Sequence, residues 1–274
     1  MEPTVWIWGS LACAVISGFT RQKWLTIALV VLSIVAALLQ ARLSIIALSS
    51  IVIGFGVAYF TAKQEGKWRY AGLTFMLIWS LAFFAHAIPG FDNLKVLDKV
   101  YASRDSIPFT MYLNLDKPLV FFGLLLAFPT LLGQKKTCDL KVIGLVVVGV
   151  LSLLPIAVGL GALTFSLSTP HWLWLFILNN LLFTCVAEEA LFRGFIQQGL
   201  SQRFGWVTGL IVASLLFGLA HFAGGMLLVV FAALAGLGYG LVFYLTGRLW
   251  AAVAVHFLFN LSHLIFFTYP MLAK

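Results

Sequence analysis

The chain has 274 residues, of which 62% are hydrophobic, 15% aromatic and only 9% charged. Soluble domains carry about 25% charged residues, so there is too little polar surface here to cover a water-facing globule, which excludes a cytosolic enzyme, a secreted disulfide scaffold and a disordered chain. The formal charge is +8, from 17 Lys and Arg against 9 Asp and Glu, but the basic residues sit in short gaps between apolar runs, which assigns them to membrane orientation and not to nucleic acid.

A helix needs about 20 mostly apolar residues to cross a bilayer. By that measure the sequence predicts an all-α, polytopic transmembrane helical bundle of about ten spans. They cover residues 5–19, 24–41, 43–62, 70–88, 118–133, 142–165, 172–192, 207–222, 226–245 and 249–269. The first is short, and Pro129 interrupts the fifth. Run length and the lack of alternating polarity select helices over strands. Glu2, with no basic residue before the first run, is the reverse of a secretory signal, so that run reads as a retained span. Cys13, Cys138 and Cys185 form no CxxC and lie in unrelated segments, which suggests neither a disulfide framework nor a zinc ribbon.

Orientation follows from the gaps. One alternate set holds Arg21 and Lys23, then Lys63, Lys67 and Arg69, then Lys135, Lys136 and Lys141, then Arg193 and Arg203, then Arg248. The positive-inside rule places that set in the cytoplasm and both termini outside, provided that all the spans are real. The one sizeable loop, residues 89–117, balances its charges and reads as an interfacial lid or a short surface helix, with a substrate-guiding role as the alternative. The expected division is residues 1–139, N-terminal transmembrane helices with the 89–117 loop, and residues 140–274, a core, within one membrane domain.

Ionisable side chains inside spans are expensive, and each is a functional hypothesis by default. His86 is the exception in a first half nearly free of them; the second half has a cluster. Glu188 and Glu189 are followed by Arg193. Glu189 and Arg193 are four apart and share a helix face in the favourable order. Glu188 points about 100° away, with no basic residue at helical spacing. Desolvation disfavours a charged carboxylate, so a carboxyl in that setting is poised to take a proton from water; the bland alternative makes both glutamates interface anchors. His221 follows small residues, with Phe217 one turn back to flank its ring, or it is a packing histidine. His256 and Asn260 are four apart on one face. An imidazole beside a carboxamide suits an oxyanion better than a metal, although such a pair also glues helices together. His263 is assigned to packing. On an α-helical rise, Glu188 lies about 22–24 Å from the outer end of its helix, and His256 and Asn260 roughly 10–17 Å from the inner end of theirs. His221 lies about 20 Å from the inner face and needs tilt, or a helix starting later than Val207, to join them.

Other chemistries fit less well. Gly236, Gly238 and Gly240 lie inside an apolar span with no preceding strand, so they are small residues for helix packing and not a nucleotide loop. There is no HExxH and no GxSxG. Buried Glu, His and Arg also build proton relays, so a transporter stays open, against the lack of repeat symmetry.

Taken in order, Glu188-Glu189-x-x-x-Arg193, Phe217-x-x-x-His221 and His256-x-x-x-Asn260 resemble the three motifs of the CPBP intramembrane proteases. That family groups the type II CAAX prenyl endopeptidases with the Abi bacteriocin-processing and immunity proteins. The resemblance covers roughly residues 140–270. It implies a multi-pass protein of a bacterial-type inner membrane that hydrolyses peptide bonds. It also implies Glu188 as general base, His221 helping to hold the attacking water, and His256 and Asn260 as donors to the oxyanion, with Glu189 and Arg193 organising the site. The implied partners are membrane lipid and a peptide or membrane-anchored protein substrate, prenylated if the family name carries over. No cofactor is required, although Glu188, His221 and His256 could ligate zinc. A non-catalytic immunity or scaffold protein with the same residues is the alternative.

Overall fold

A computed structural model describes residues 3–273. The described residues form ten helices and one two-stranded sheet. In chain order the helices are α1 (Trp6–Phe19), α2 (Lys23–Leu39), α3 (Ile45–Thr61), α4 (Gly66–Phe84) and α5 (Asp116–Ala127). They continue as α6 (Leu140–Gly159), α7 (Leu173–Phe204), α8 (Trp206–Leu219), α9 (Met226–Thr246) and α10 (Leu249–Phe266). Strands β1 (Leu94–Val100) and β2 (Phe109–Leu113) pair between α4 and α5. The loop expected as a lid or surface helix is therefore a hairpin. In β2 the apolar residues Phe109, Met111 and Leu113 alternate at strand spacing, and Leu97 and Met111 are buried with Trp172, Phe176 and Leu264.

Among the described residues, four helices are long and apolar enough to cross a membrane: α6, α7, α9 and α10. Four more, α1, α2, α3 and α8, are apolar but shorter. The all-α class is thus found, whereas the expected count of about ten spans is matched by only four helices of sufficient length among the described residues. The fifth predicted span departs furthest. Pro129 disfavours helical backbone at Phe128, which is extended (φ −128°, ψ 85°), so α5 stops at Ala127 after 12 residues. His86 also leaves its predicted span. It sits in the turn after α4, at φ 52°, exposed, with Nδ1 on the carboxylate of Asp116 at 2.5 Å. Large apolar side chains on the outer faces, such as Leu145 (73% exposed) and Val148 (65%) on α6, fit a lipid surface and would be costly in water.

The chain forms two compact units. The first comprises the chain up to Leu94, Tyr112–Leu132 and the middle of α7, Leu182–Leu191. Helix α5 is buried along most of its length and is packed by α1, α3 and α4. Small residues let these helices approach. The indole of Trp79 fills the space where Gly54 lacks a Cβ, lies against Gly123, and donates from Nε1 to the Ser50 carbonyl at 3.1 Å. The second unit comprises Lys95–Met111, Gly133–Leu181 and the chain from Phe192 onward. Here α9 packs against α6, α8 and α10. It ends at Gly247 in the left-handed region (φ 61°), where a Cβ would lie 1.8 Å from the Gln134 carbonyl oxygen.

Candidate active site

Helix α7 carries the glutamates and is not a regular α-helix. It is α-helical at Leu173–Asn179, Val186–Glu189 and Gln198–Phe204, and π-helical at Asn180–Cys185 and Ala190–Gln197. Short π segments inside α-helices recur at functional sites. The spacing argument for Glu189 and Arg193 assumed one unbroken α repeat; a π stretch begins at Ala190, between them. Glu188 is half-buried and Glu189 fully buried, on the stretch that packs against α5 in the first unit.

The second unit holds the rest of the predicted site. Arg193 is fully buried. Its guanidinium lies 4.4 Å from the ring centroid of Phe217 and 5.3 Å from that of Tyr239, and donates from Nη2 to the Gly236 carbonyl at 3.0 Å. One turn on, Gln197 Nε2 donates to the Gly240 carbonyl at 2.9 Å. Two positions four apart on α7 thus meet two positions four apart on α9. Both positions are tight: a Cβ on Gly236 would sit 3.0 Å from Arg193 Nη2, and one on Gly240 2.6 Å from Gln197 Oε1. Gly238 points elsewhere, onto Val150 of α6. The packing role expected for these glycines is what the contacts give.

Phe217 is the centre of a ring cluster. His221 lies 4.8 Å from it and His256 meets it edge-on at 5.6 Å, while His256 stacks on Tyr239 at 4.6 Å and 14°. His256 is buried and His221 half-buried. The Nδ1 of His221 lies 2.8 Å from the Phe217 carbonyl oxygen, which can only accept, so Nδ1 carries a proton and, in the corresponding neutral tautomer, Nε2 is the acceptor. Helix α8 starts at Trp206 and ends at Leu219, so the later start is not found; His221 lies in the turn beyond the helix. Asn260, one turn after His256, donates from Nδ2 to Asn180 Oδ1 at 3.2 Å. His263 contacts the ring of Tyr269 and donates to the Thr268 carbonyl, as the packing assignment expected.

Arg193, His221 and His256 are therefore gathered around Phe217, and Asn260 is joined to Asn180. Glu188 and Glu189 lie in the first unit, on the segment of α7 that leads into Arg193. Three partners were missed: Asn180, Gln197 and Tyr239. Asn180 was within reach of the sequence, as a carboxamide in the predicted span 172–192. The rule that singled out the glutamates applies to it. Among the described residues, no three His, Cys, Asp or Glu side chains are grouped to hold a metal ion.

A family model described as type II CAAX prenyl endopeptidase Rce1-like matches residues 170–262, about a third of the chain. That segment contains Glu188, Glu189, Arg193, His221, His256 and Asn260. No curated protein and no solved structure matches.

Proposed function

We propose, for a chain that belongs through residues 170–262 to the CPBP family, that it is an intramembrane endopeptidase of the CAAX prenyl protease type. Its substrate is a peptide or membrane-anchored protein, prenylated near its C-terminus. The observation that carries the reading is the set of side chains fixed around Phe217. His221 presents an acceptor Nε2, His256 is locked by stacking, and Asn260 is anchored one turn beyond.

In this mechanism the carboxylate of Glu188 takes a proton from a water molecule that His221 Nε2 orients. The hydroxide oxygen bonds to the scissile carbonyl carbon, and the carbonyl electron pair moves onto oxygen. Asn260 Nδ2–H and the His256 ring N–H donate to that oxyanion. Donors fixed in advance at a low-dielectric site favour the developing charge over the ground-state carbonyl. The intermediate collapses, the C–N bond breaks, and the amine leaves with the proton that Glu188 held. Glu189 and Arg193 hold α7 in place around the base. The reaction needs no metal.

The test is cleavage by the purified protein in lipid, on farnesylated CAAX-type peptides and their unmodified counterparts, with and without a chelator. The wild type cleaves, and chelator leaves the rate unchanged. Glu188→Gln lowers kcat by about 10²–10⁴, the usual contribution of a general base. Asn260→Ala lowers it by about 10²–10³, the loss typical of one oxyanion donor. Peptide binding without cleavage, unaltered by either substitution, would assign the chain to the non-catalytic scaffold or immunity class. Loss of activity on chelation would restore the metal reading.

A further inference from the structure

We propose that Asn180 is a positioning residue for Asn260, a role that rests on the reading of Asn260 as an oxyanion donor. A carboxamide on a half-buried side chain has a broad, roughly two-fold terminal torsion, so helix geometry alone does not aim its N–H groups. The ring stack on Tyr239 that holds His256 holds only His256. Asn260 instead gives one N–H to Asn180 Oδ1 at 3.2 Å, across 80 residues of sequence. The amide is planar, so that bond also sets the direction of its second N–H and decides which end of the group presents nitrogen.

The location of Asn180 supports the assignment. It is buried, only 8% exposed, next to the equally buried Asn179 in an apolar stretch of α7, where a polar amide is costly without a hydrogen-bond partner. It is also the first residue of the π stretch Asn180–Cys185. The irregular turn therefore begins at the residue that meets Asn260, and Glu188 follows two turns later on the same helix. A residue serving only as interhelical glue would act on stability and leave turnover alone.

The experiment compares Asn180→Leu and Asn180→Asp in the full chain in lipid, with the farnesylated peptide as probe. Asn180→Leu removes the acceptor, and kcat falls by about 10–100-fold with KM within a factor of about two, in the range that misplacement of a catalytic group produces. Asn180→Asp keeps an acceptor oxygen and restores kcat to within about five-fold. In an Asn260→Ala background, Asn180→Leu has no further effect, because both changes act through one group. If Asn260→Ala is impaired while Asn180→Leu cleaves like wild type, the positioning role is overturned and the protease reading stands. Should Asn260→Ala cleave like wild type, the reading of the site itself fails. The side-chain ¹⁵N–¹H₂ resonance of Asn260, assigned by its loss in Asn260→Ala, is a readout independent of turnover. It moves in Asn180→Leu and stays near its wild-type position in Asn180→Asp; an unmoved resonance in Asn180→Leu overturns the proposal directly.

Discussion

Arg193 illustrates the residue scale. A guanidinium with no exposed surface lies over the rings of Phe217 and Tyr239 and donates to the backbone of Gly236. Only a planar, weakly hydrated cation serves all of these contacts, because an ammonium neither stacks nor forks. Arg193→Lys is expected to cost about 2–4 kcal/mol, adding a desolvated cation–π contact to a charge-assisted hydrogen bond. Thermal unfolding in detergent or lipid measures that loss, and an unchanged midpoint would mean that Lys reaches the same partners. The motif residues at this scale were legible, since each is a polar atom set in an apolar run. Their partners were not. Phe217 was legible only as the neighbour of His221, and Tyr239 looks like any other span aromatic until α8, α9 and α10 are packed together.

Among the elements, α9 and α7 carry the most information. Glycines on α9 face two ways. Gly236 and Gly240 admit Arg193 and Gln197, and Gly238 admits Val150. Gly240→Ala would place a Cβ 2.5 Å from Leu210 and 2.6 Å from Gln197 Oε1. It is expected to destabilise by about 1–3 kcal/mol, the usual cost of overpacking. Gly144→Ala on α6 meets nothing within 4 Å and serves as the neutral control, read in the same melt. The sequence indicated small residues for close helix approach without showing which neighbour each one faces. The π stretches of α7 were not legible at all. They differ from α-helix only in which carbonyl each N–H selects, a choice made by packing and not by local propensity. Deleting Leu182 from the first stretch should restore α geometry there, keeping the fold and removing cleavage. Circular dichroism and the peptide assay together check this, and retained cleavage would show that the π turn is dispensable.

Across the whole molecule, the positive-inside assignment leads to a labelling test. Cys138 is exposed and adjoins Lys135, Lys136 and Lys141, the gap assigned to the cytoplasm. An impermeant maleimide should modify it in inverted membrane vesicles and not in right-side-out ones, whereas a cysteine introduced at Ser103, between the hairpin strands, should give the opposite pattern. Reaction of both from one side would remove α5 from the count of crossings. That helix is the weak point. It has 12 residues, about 18 Å at the α-helical rise, against about 30 Å of hydrocarbon.

The sequence by itself determined the solvent, the helical class and the identity of the polar residues that matter. Those depend on composition and on local periodicity, which any short window contains. Tertiary structure decided everything that rests on a partner far away in the chain. The 89–117 loop became a hairpin because Trp172, Phe176 and Leu264 cover its apolar residues. Arg193 found Gly236 across 43 residues, and Asn260 found Asn180 across 80. No window of sequence holds both members of such pairs. What selects among the many possible partners is the cost of leaving a polar atom unmatched in an apolar interior, and that cost is fixed only once the helices have packed.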